Sequence, residues 1–365
     1  MTLDLDPTLS VSALLRRVTD EARPEAEYPL VFGERPAGET LALREAGAVR
    51  SACALLVRDF WIGGRRVRGG LIGSVATEPA YRGRGLAARV LAGAERTLAE
   101  RGCLFTLLWA GDARYYLKRG YAPFGAEYDW WLGSERARSL PEASGVRELR
   151  PQDVPFLHRL YSSHGVRVER SLEEMRALLA VPGMLTLVRV GASSSGGPQV
   201  PQAYACLGRG RDLVDAIHEW AGKSTDVLAL LRAHLERRFP HGEPGGLFLM
   251  TPPDASDLAY ALVRAEILPK PGILGLGKIV DSGSAARLLA DELGASASVT
   301  ALESQPGCVR VRGPRNEIVA DPEMLQTLLF GGPAVRDEVQ GLLRRLGLER
   351  PTLPLQPFAW GLDSI

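Results

Sequence analysis

Residues 81–87 read YRGRGLA, the stretch of this 365-residue chain best suited to holding an anion. Gly83 and Gly85 let the backbone approach a ligand, Arg82 and Arg84 add charge, and Leu86 and Ala87 open a helix-like run. The first N–H groups of a helix lack intrahelical partners and carry the positive end of its dipole. A phosphate or diphosphate suits such a turn. Two familiar phosphate loops do not fit. A dinucleotide loop needs a third glycine, and Gly85 is followed by Leu-Ala-Ala-Arg. The pattern GxxxxGK[ST] has a near match at 272–278, GILGLGK, but Ile279 replaces its hydroxyl residue. That stretch reads as the start of a strand. A third arrangement is Arg or Gln, two residues, Gly, one residue, then Gly or Ala. Arg82, Gly85 and Ala87 fit it.

The flanking elements suit a positioned anion. LIGSVAT (71–77) is a short apolar run that predicts a buried strand leading into the loop. After the loop, Leu86, Val90, Leu91, Ala94 and Leu98 recur at helical spacing, and Gly102 stands where the helix should end. LFTLLWA (104–110) predicts a second buried strand. GDARYYLKRGYAPFG (111–125) reads as a short helix, a stop at Gly120 and a return strand. Upstream, LALREAGAVRSACALLVRDF predicts a hairpin, and WIGGRRVRGG (61–70) a second turn.

Composition narrows the class. The chain is long enough for two or three domains. Its 44 basic and 43 acidic residues give no broad field for nucleic acid or an anionic membrane. No apolar run reaches a membrane-spanning length, and the acidic N-terminus is unlike a signal peptide. Cys53, Cys103, Cys206 and Cys308 form no CxxC pair, so neither a zinc site nor a disulfide framework is expected. A reduced, cytoplasmic protein follows. The histidines, at 158, 164, 218, 234 and 241, all lie in the middle segment and read as surface or satisfied core groups.

The pattern restarts near LPEASG (140–145) and repeats the order of the first segment without an RGRG loop. This reads as a decayed second copy. Its loop GASSSGGPQVPQ is expected to be mobile. A third segment follows, with strands near 297–303 and 308–313, a helix from Asp321 and another across 334–346. The end, PTLPLQPFAWGLDSI, has prolines at 351, 354 and 357 that favour extended chain. It is apolar enough to predict a docked terminus.

SVATEPAYRGRGLAARVL followed by RYYLKRGYAPFG resembles the GNAT N-acetyltransferases across about residues 71–125. The longer order is similar to the enhanced intracellular survival (Eis) family. That resemblance implies a mixed α/β, α+β protein of three parts. Residues 1–142 would be a catalytic GNAT domain, 143–271 a GNAT-like domain without a cofactor loop, and 272–365 a sterol-carrier-like domain. The chain departs from the family in its short N-terminus. Few residues precede the first strand, where the family's helices form part of the substrate wall.

The resemblance also implies a mechanism. Acetyl-CoA would lie on Arg82, Gly83, Arg84, Gly85, Leu86 and Ala87, with its thioester held by the backbone of Val75, Ala76 and Thr77. Backbone donors aimed at a developing oxyanion are a large catalytic term. Tyr116 aligns with the family's tyrosine that protonates the departing thiolate, and Tyr115 is the rival if the register shifts by one. A phenol ionises near about 10 and can donate at neutral pH. The family's base is its own terminal carboxylate, here Ile365. A solvated α-carboxyl ionises near about 3.5, so it needs burial or a water relay. Asp363 is a second candidate, as base or as a grip on a cationic substrate. The acceptor would be a primary amine on a small molecule or a lysine. No metal is needed, and the absence of cysteine from both motifs disfavours an acyl-enzyme. A homo-oligomer is implied, with a hexamer as the candidate form. Two alternatives remain: a CoA-binding sensor or scaffold without catalysis, and a lipid carrier built on the C-terminal segment.

Overall fold

The structure is a computed structural model that describes residues 2–6, 8–19, 23–191, 199–210, 213–349 and 352–365. Part of the loop expected to be mobile, 192–198, lies outside those residues, as does Pro351. The chain divides into two compact units. One comprises Met1–Ala126, Ile273–Phe358 and Ser364–Ile365, and the other Glu127–Gly272 and Ala359–Asp363.

The first unit is built on a mixed sheet of β1 (Thr2–Asp6), β2 (Glu39–Glu45), β3 (Ala48–Ile62), β4 (Arg65–Thr77), β5 (Phe105–Leu108), a late strand Gly275–Ile279, and β6 (Ala122–Phe124), in that spatial order. The β2–β3 hairpin turns on Ala46 and Gly47 at φ of 49° and 78°, the left-handed conformation that a two-residue hairpin turn demands. The stretch 61–70, expected as a turn, is mostly strand. Only Gly63 and Gly64 turn, at φ of 57° and 78°, and Arg65 onward pairs back along β3. Two glycines suffice to reverse the chain, which leaves the neighbouring residues free to extend.

A helix, Leu86–Glu100, links β4 to β5, which run parallel. Its predicted stripe of Leu86, Val90, Leu91, Ala94 and Leu98 packs on Leu41, Leu43, Cys53, Leu55 and Ile72. Each fully buried leucine there contributes about 1.5–3 kcal/mol. Burial lifts the Cys53 thiol to about 12 and the Cys103 thiol to about 11, so both stay protonated.

The N-terminus corrects the sequence reading. After β1 come helices Thr8–Val18, Pro24–Glu27 and Pro29–Phe32. Val11, Leu14 and Leu15 are fully buried at helical spacing. Three helices therefore stand between β1 and β2 in the sequence, where few residues were expected before the first strand.

The late strand Gly275–Ile279 lies antiparallel between β5 and β6. Its glycines permit this fit, because a Cβ at Gly277 would overlap the Phe124 ring. The near-match phosphate loop is thus a sheet strand. The unit also contains helices Ser282–Leu293, Pro322–Phe330 and Arg336–Leu346, and a three-stranded antiparallel sheet, Ser298–Ala301, Val309–Arg312 and Glu317–Ala320. Asp321 caps the second of these helices by accepting from the Met324 N–H at 2.8 Å.

The second unit repeats the first in outline. Its strands run Val146–Glu148, Leu185–Val190, Pro201–Leu207, Ala216–Gly222, Gly246–Thr251, Glu127–Gly133 and Pro269–Gly272 across the sheet. The fourth and fifth are again a parallel pair, joined through helix Ser224–Arg238. In each sheet the sixth position is filled by a strand from a distant part of the chain: 275–279 in one and 127–133 in the other.

Candidate functional site

The site begins where β4 and β5 part. They pair at Gly69↔Phe105, Gly70↔Thr106 and Leu71↔Leu107, and the ladder stops there. Beyond it, the register of β4 against β3 shifts between Ala52 and Ala54, and Ser74 takes φ of 48°. A bulge of this kind bends a strand and re-aims its backbone groups. Val75, Ala76 and Thr77 line the gap so opened. The Ser51 hydroxyl anchors this end, donating to the Ala76 carbonyl at 3.1 Å and lying 2.8 Å from the Thr77 hydroxyl.

The glycine loop closes the other side. A 3-10 turn, Pro79–Tyr81, leads to Gly83 and Gly85 at φ of 77° and 75°. Gly85 is the cap from which helix Leu86–Glu100 starts. A Cβ at either glycine would meet no protein atom within 4 Å, so the loop faces open space. Tyr81 stiffens it. The Arg50 and Arg84 guanidinium groups lie 4.5 and 4.8 Å from its ring centroid. Arg50 is itself held by Glu78 at 2.5 Å, and Arg82 donates to the Thr77 carbonyl at 3.3 Å.

These elements enclose a cavity of about 540 Å³. Its walls include Val75, Ala76, Thr77, Arg82, Gly83, Gly85, Leu86 and Ala87, eight of the residues singled out in the sequence. Arg84 is not on the wall but stacks on Tyr81, which is. The sequence reading did not include Val18, Thr19, Tyr81, Tyr115 or Arg119 as wall residues. The tyrosine and arginine of the YRGRG and LKRGY stretches were visible, but nothing local said which way they would face.

Helix Ala113–Leu117 carries the tyrosines and is capped by the Asp112 carboxylate, which accepts from the Arg114 N–H at 3.1 Å. Tyr115 lies on the cavity wall, while Tyr116 packs edge-on between Tyr115 and Tyr121, with centroid distances of 5.1 and 5.8 Å. Burial raises the Tyr116 phenol above its ordinary value, and the neighbouring Tyr115 adds to the shift. It is a protonated hydroxyl at neutral pH.

The chain end reaches the same strand. A Cβ at Gly73 would overlap the carboxyl group of Ile365, so the terminus lies directly on the β4 backbone one residue before the bulge. Residues 11–124 match the family model described as an acetyltransferase (GNAT) domain. The chain carries a GNAT acetyltransferase domain. Over its whole length it also shares the fold of solved structures. A probable N-acyltransferase from Enterococcus faecalis is similar over 100% of this chain and 99% of that one, with TM-score 0.69 at 14% identity. A GCN5-related N-acetyltransferase from Kribbella flavida gives 0.63 at 15%, and Eis1 from Mycobacterium abscessus 0.62 at 14%, each covering both chains fully. No curated protein sequence matches the chain.

The loop, the splayed strand, the tyrosines and the terminal carboxyl belong to one compact unit, of which the matched domain is the N-terminal part. Asp363 belongs to the other, where it is fully buried. Its carboxylate accepts from Arg170 at 2.7 Å and from the Trp360 N–H at 3.0 Å. Arg170 also makes a two-pronged pair with Glu219 at 2.8 and 3.1 Å, and the Tyr204 hydroxyl donates to Glu219 at 2.9 Å. The expected docking of the apolar end is observed: Phe358, Ala359, Trp360 and Leu362 are buried. Among the described residues no helix is long and apolar enough to cross a membrane.

Proposed function

We propose that the protein is an acetyl-CoA-dependent N-acetyltransferase that passes an acetyl group to a primary amine in a ternary complex. The observation that carries this reading is the cavity itself. A glycine loop and a splayed strand line it, and the Ile365 carboxyl, which is not on its wall, lies on Gly73 of the same strand. The fit to an acyl-CoA is supported by the open space at Gly83 and Gly85 and by the unpaired strand edge after Leu71.

In this reading the backbone N–H groups of Gly83, Gly85 and the first helical turn, with Arg82 and Arg84, hold the diphosphate. The backbone at Val75–Thr77 grips the pantetheine arm and polarises the thioester carbonyl. Acetyl-CoA supplies the activated acyl carbon. The Ile365 carboxylate, directly or through a water, takes a proton from the amine as its nitrogen forms the new C–N bond. Tyr116 gives its proton to the sulfur as the C–S bond breaks. Asp363, locked on Arg170, fits an anchor for the terminus better than a grip on substrate. The threefold division at 142 and 271, a sterol-carrier-like C-terminal part, a cytoplasmic setting and a homo-oligomer belong to the same proposal. The acceptor is a small-molecule or lysine amine.

The test is thiol release from acetyl-CoA with a panel of aminoglycosides, polyamines and lysine peptides. Wild type runs beside Tyr116→Phe, Tyr115→Phe and a chain lacking Ile365. Tyr115 is included because it, and not Tyr116, lines the cavity. Amine-dependent release that falls sharply in Tyr116→Phe and in the shortened chain is expected. Release from no amine, with acetyl-CoA still raising the melting temperature, would favour a CoA-binding sensor instead.

A further inference from the structure

Arg119 lies outside the glycine loop, yet it shares the cavity wall with Arg82, Gly83 and Gly85. It is set in place twice. Its guanidinium lies 3.7 Å from the centroid of the Tyr115 ring, and its Nη1 donates to the Tyr115 carbonyl at 2.5 Å. Among the described residues no carboxylate pairs with it. Its neighbours differ. Arg114 is spent on Asp112 at 2.9 and 3.0 Å, and Arg50 on Glu78.

A guanidinium carries five N–H donors in one plane. One bond to a carbonyl leaves the rest of the fork unspent. Stacking on an aromatic ring fixes that plane, so little freedom is lost when a second partner arrives. A pre-set, unneutralised fork on the wall of an anion cradle calls for an oxyanion. Planar forks match phosphate oxygens two at a time, which a lysine cannot do.

We propose that Arg119 is a further binding residue for the acyl donor, and that it contacts the diphosphate held by the Gly83–Gly85 loop. The inference rests on the acyl-CoA reading above and deepens it. Arg119 sets a preference for the phosphate-bearing donor over its uncharged pantetheine portion. The step is binding only and transfers no proton.

Full-length wild type, Arg119→Gln and Arg119→Lys are titrated with CoA, dephospho-CoA and pantetheine by calorimetry, with melting temperatures recorded in parallel. Loss of one charge-assisted pair is expected to weaken CoA and dephospho-CoA binding about 10-fold or more. Pantetheine binding should stay within about 2-fold. Arg119→Lys should fall between, and the salt dependence of CoA binding should flatten in Arg119→Gln. Equal weakening for CoA and pantetheine would overturn the proposal and make Arg119 a prop for Tyr115. A loss seen with CoA but absent with dephospho-CoA would move Arg119 to the 3′-phosphate and overturn the diphosphate assignment. Wild type that binds no CoA would sink the acyl-CoA reading, and this inference with it.

Discussion

Gly73 and Ile365, separated by most of the chain, lie so close that a Cβ on the glycine would occupy the terminal carboxyl. Only a residue without a side chain leaves room for the chain end on the β4 backbone. Gly73→Ala should therefore push the carboxyl aside and leave the loop untouched. Displacing a catalytic group by about an ångström costs on the order of 100-fold in rate. Turnover should fall toward that of the chain lacking Ile365, while acetyl-CoA still raises the melting temperature. Full activity in Gly73→Ala would show that the terminus has no part in the chemistry.

Tyr116→Phe removes one hydroxyl and keeps the ring edge-on between Tyr115 and Tyr121. A lost general acid lowers kcat by about 100-fold or more. Because burial raises the Tyr116 phenol above its usual range, the active protonated form should persist to alkaline pH. The wild-type rate should show no decline from this group below about pH 10. A wild-type decline near neutrality that vanishes in Tyr116→Phe would contradict the assignment.

Asp363→Asn strips one of the two carboxylates from the buried Arg170. Breaking a buried ion pair from one side costs about 3–5 kcal/mol. A marked drop in melting temperature is expected, with amine KM unchanged wherever the protein is folded. A change in KM without loss of stability would return Asp363 to a direct role with substrate.

Three histidines of the second unit are neutral: His218 and His234 are buried, and His164 is half-buried. Burial lowers them to about 4, about 3 and about 4. Their ordinary value is near 6.5, so the unfolded chain binds protons first as the pH falls. Their contribution to stability is full above about pH 6.5 and is lost as the pH drops toward about 4. Denaturant midpoints measured between about pH 7.5 and 4.5 should fall steadily over that interval. A flat profile would mean that these rings titrate normally in the folded state.

Much of the candidate site could be read directly from residues 71–125. Glycines at a helix start, arginines beside them and a strand before them are local features, and local backbone physics fixes what they form. The helix stripe from Leu86 to Leu98 packed as its period predicts. The helices at 8–32 were missed although Val11, Leu14 and Leu15 stand at helical spacing; two of the three helices are only four residues long, too short to show a period. Nor did residues 61–70 reveal that two glycines alone would make the turn.

The sequence by itself determined the glycine loop, the helix that starts on it and the pair of tyrosines downstream. Each depends on residues within a few positions of one another. Tertiary structure decided which sheet the strands at 127–133 and 275–279 complete, because strand pairing joins edges that no local pattern identifies. It also decided the fates of two acidic groups at the chain end. Asp363 is buried against Arg170, and the Ile365 carboxyl rests on Gly73. Those partners lie far away in the sequence, and only folding brings the charge of one and the missing side chain of the other within reach.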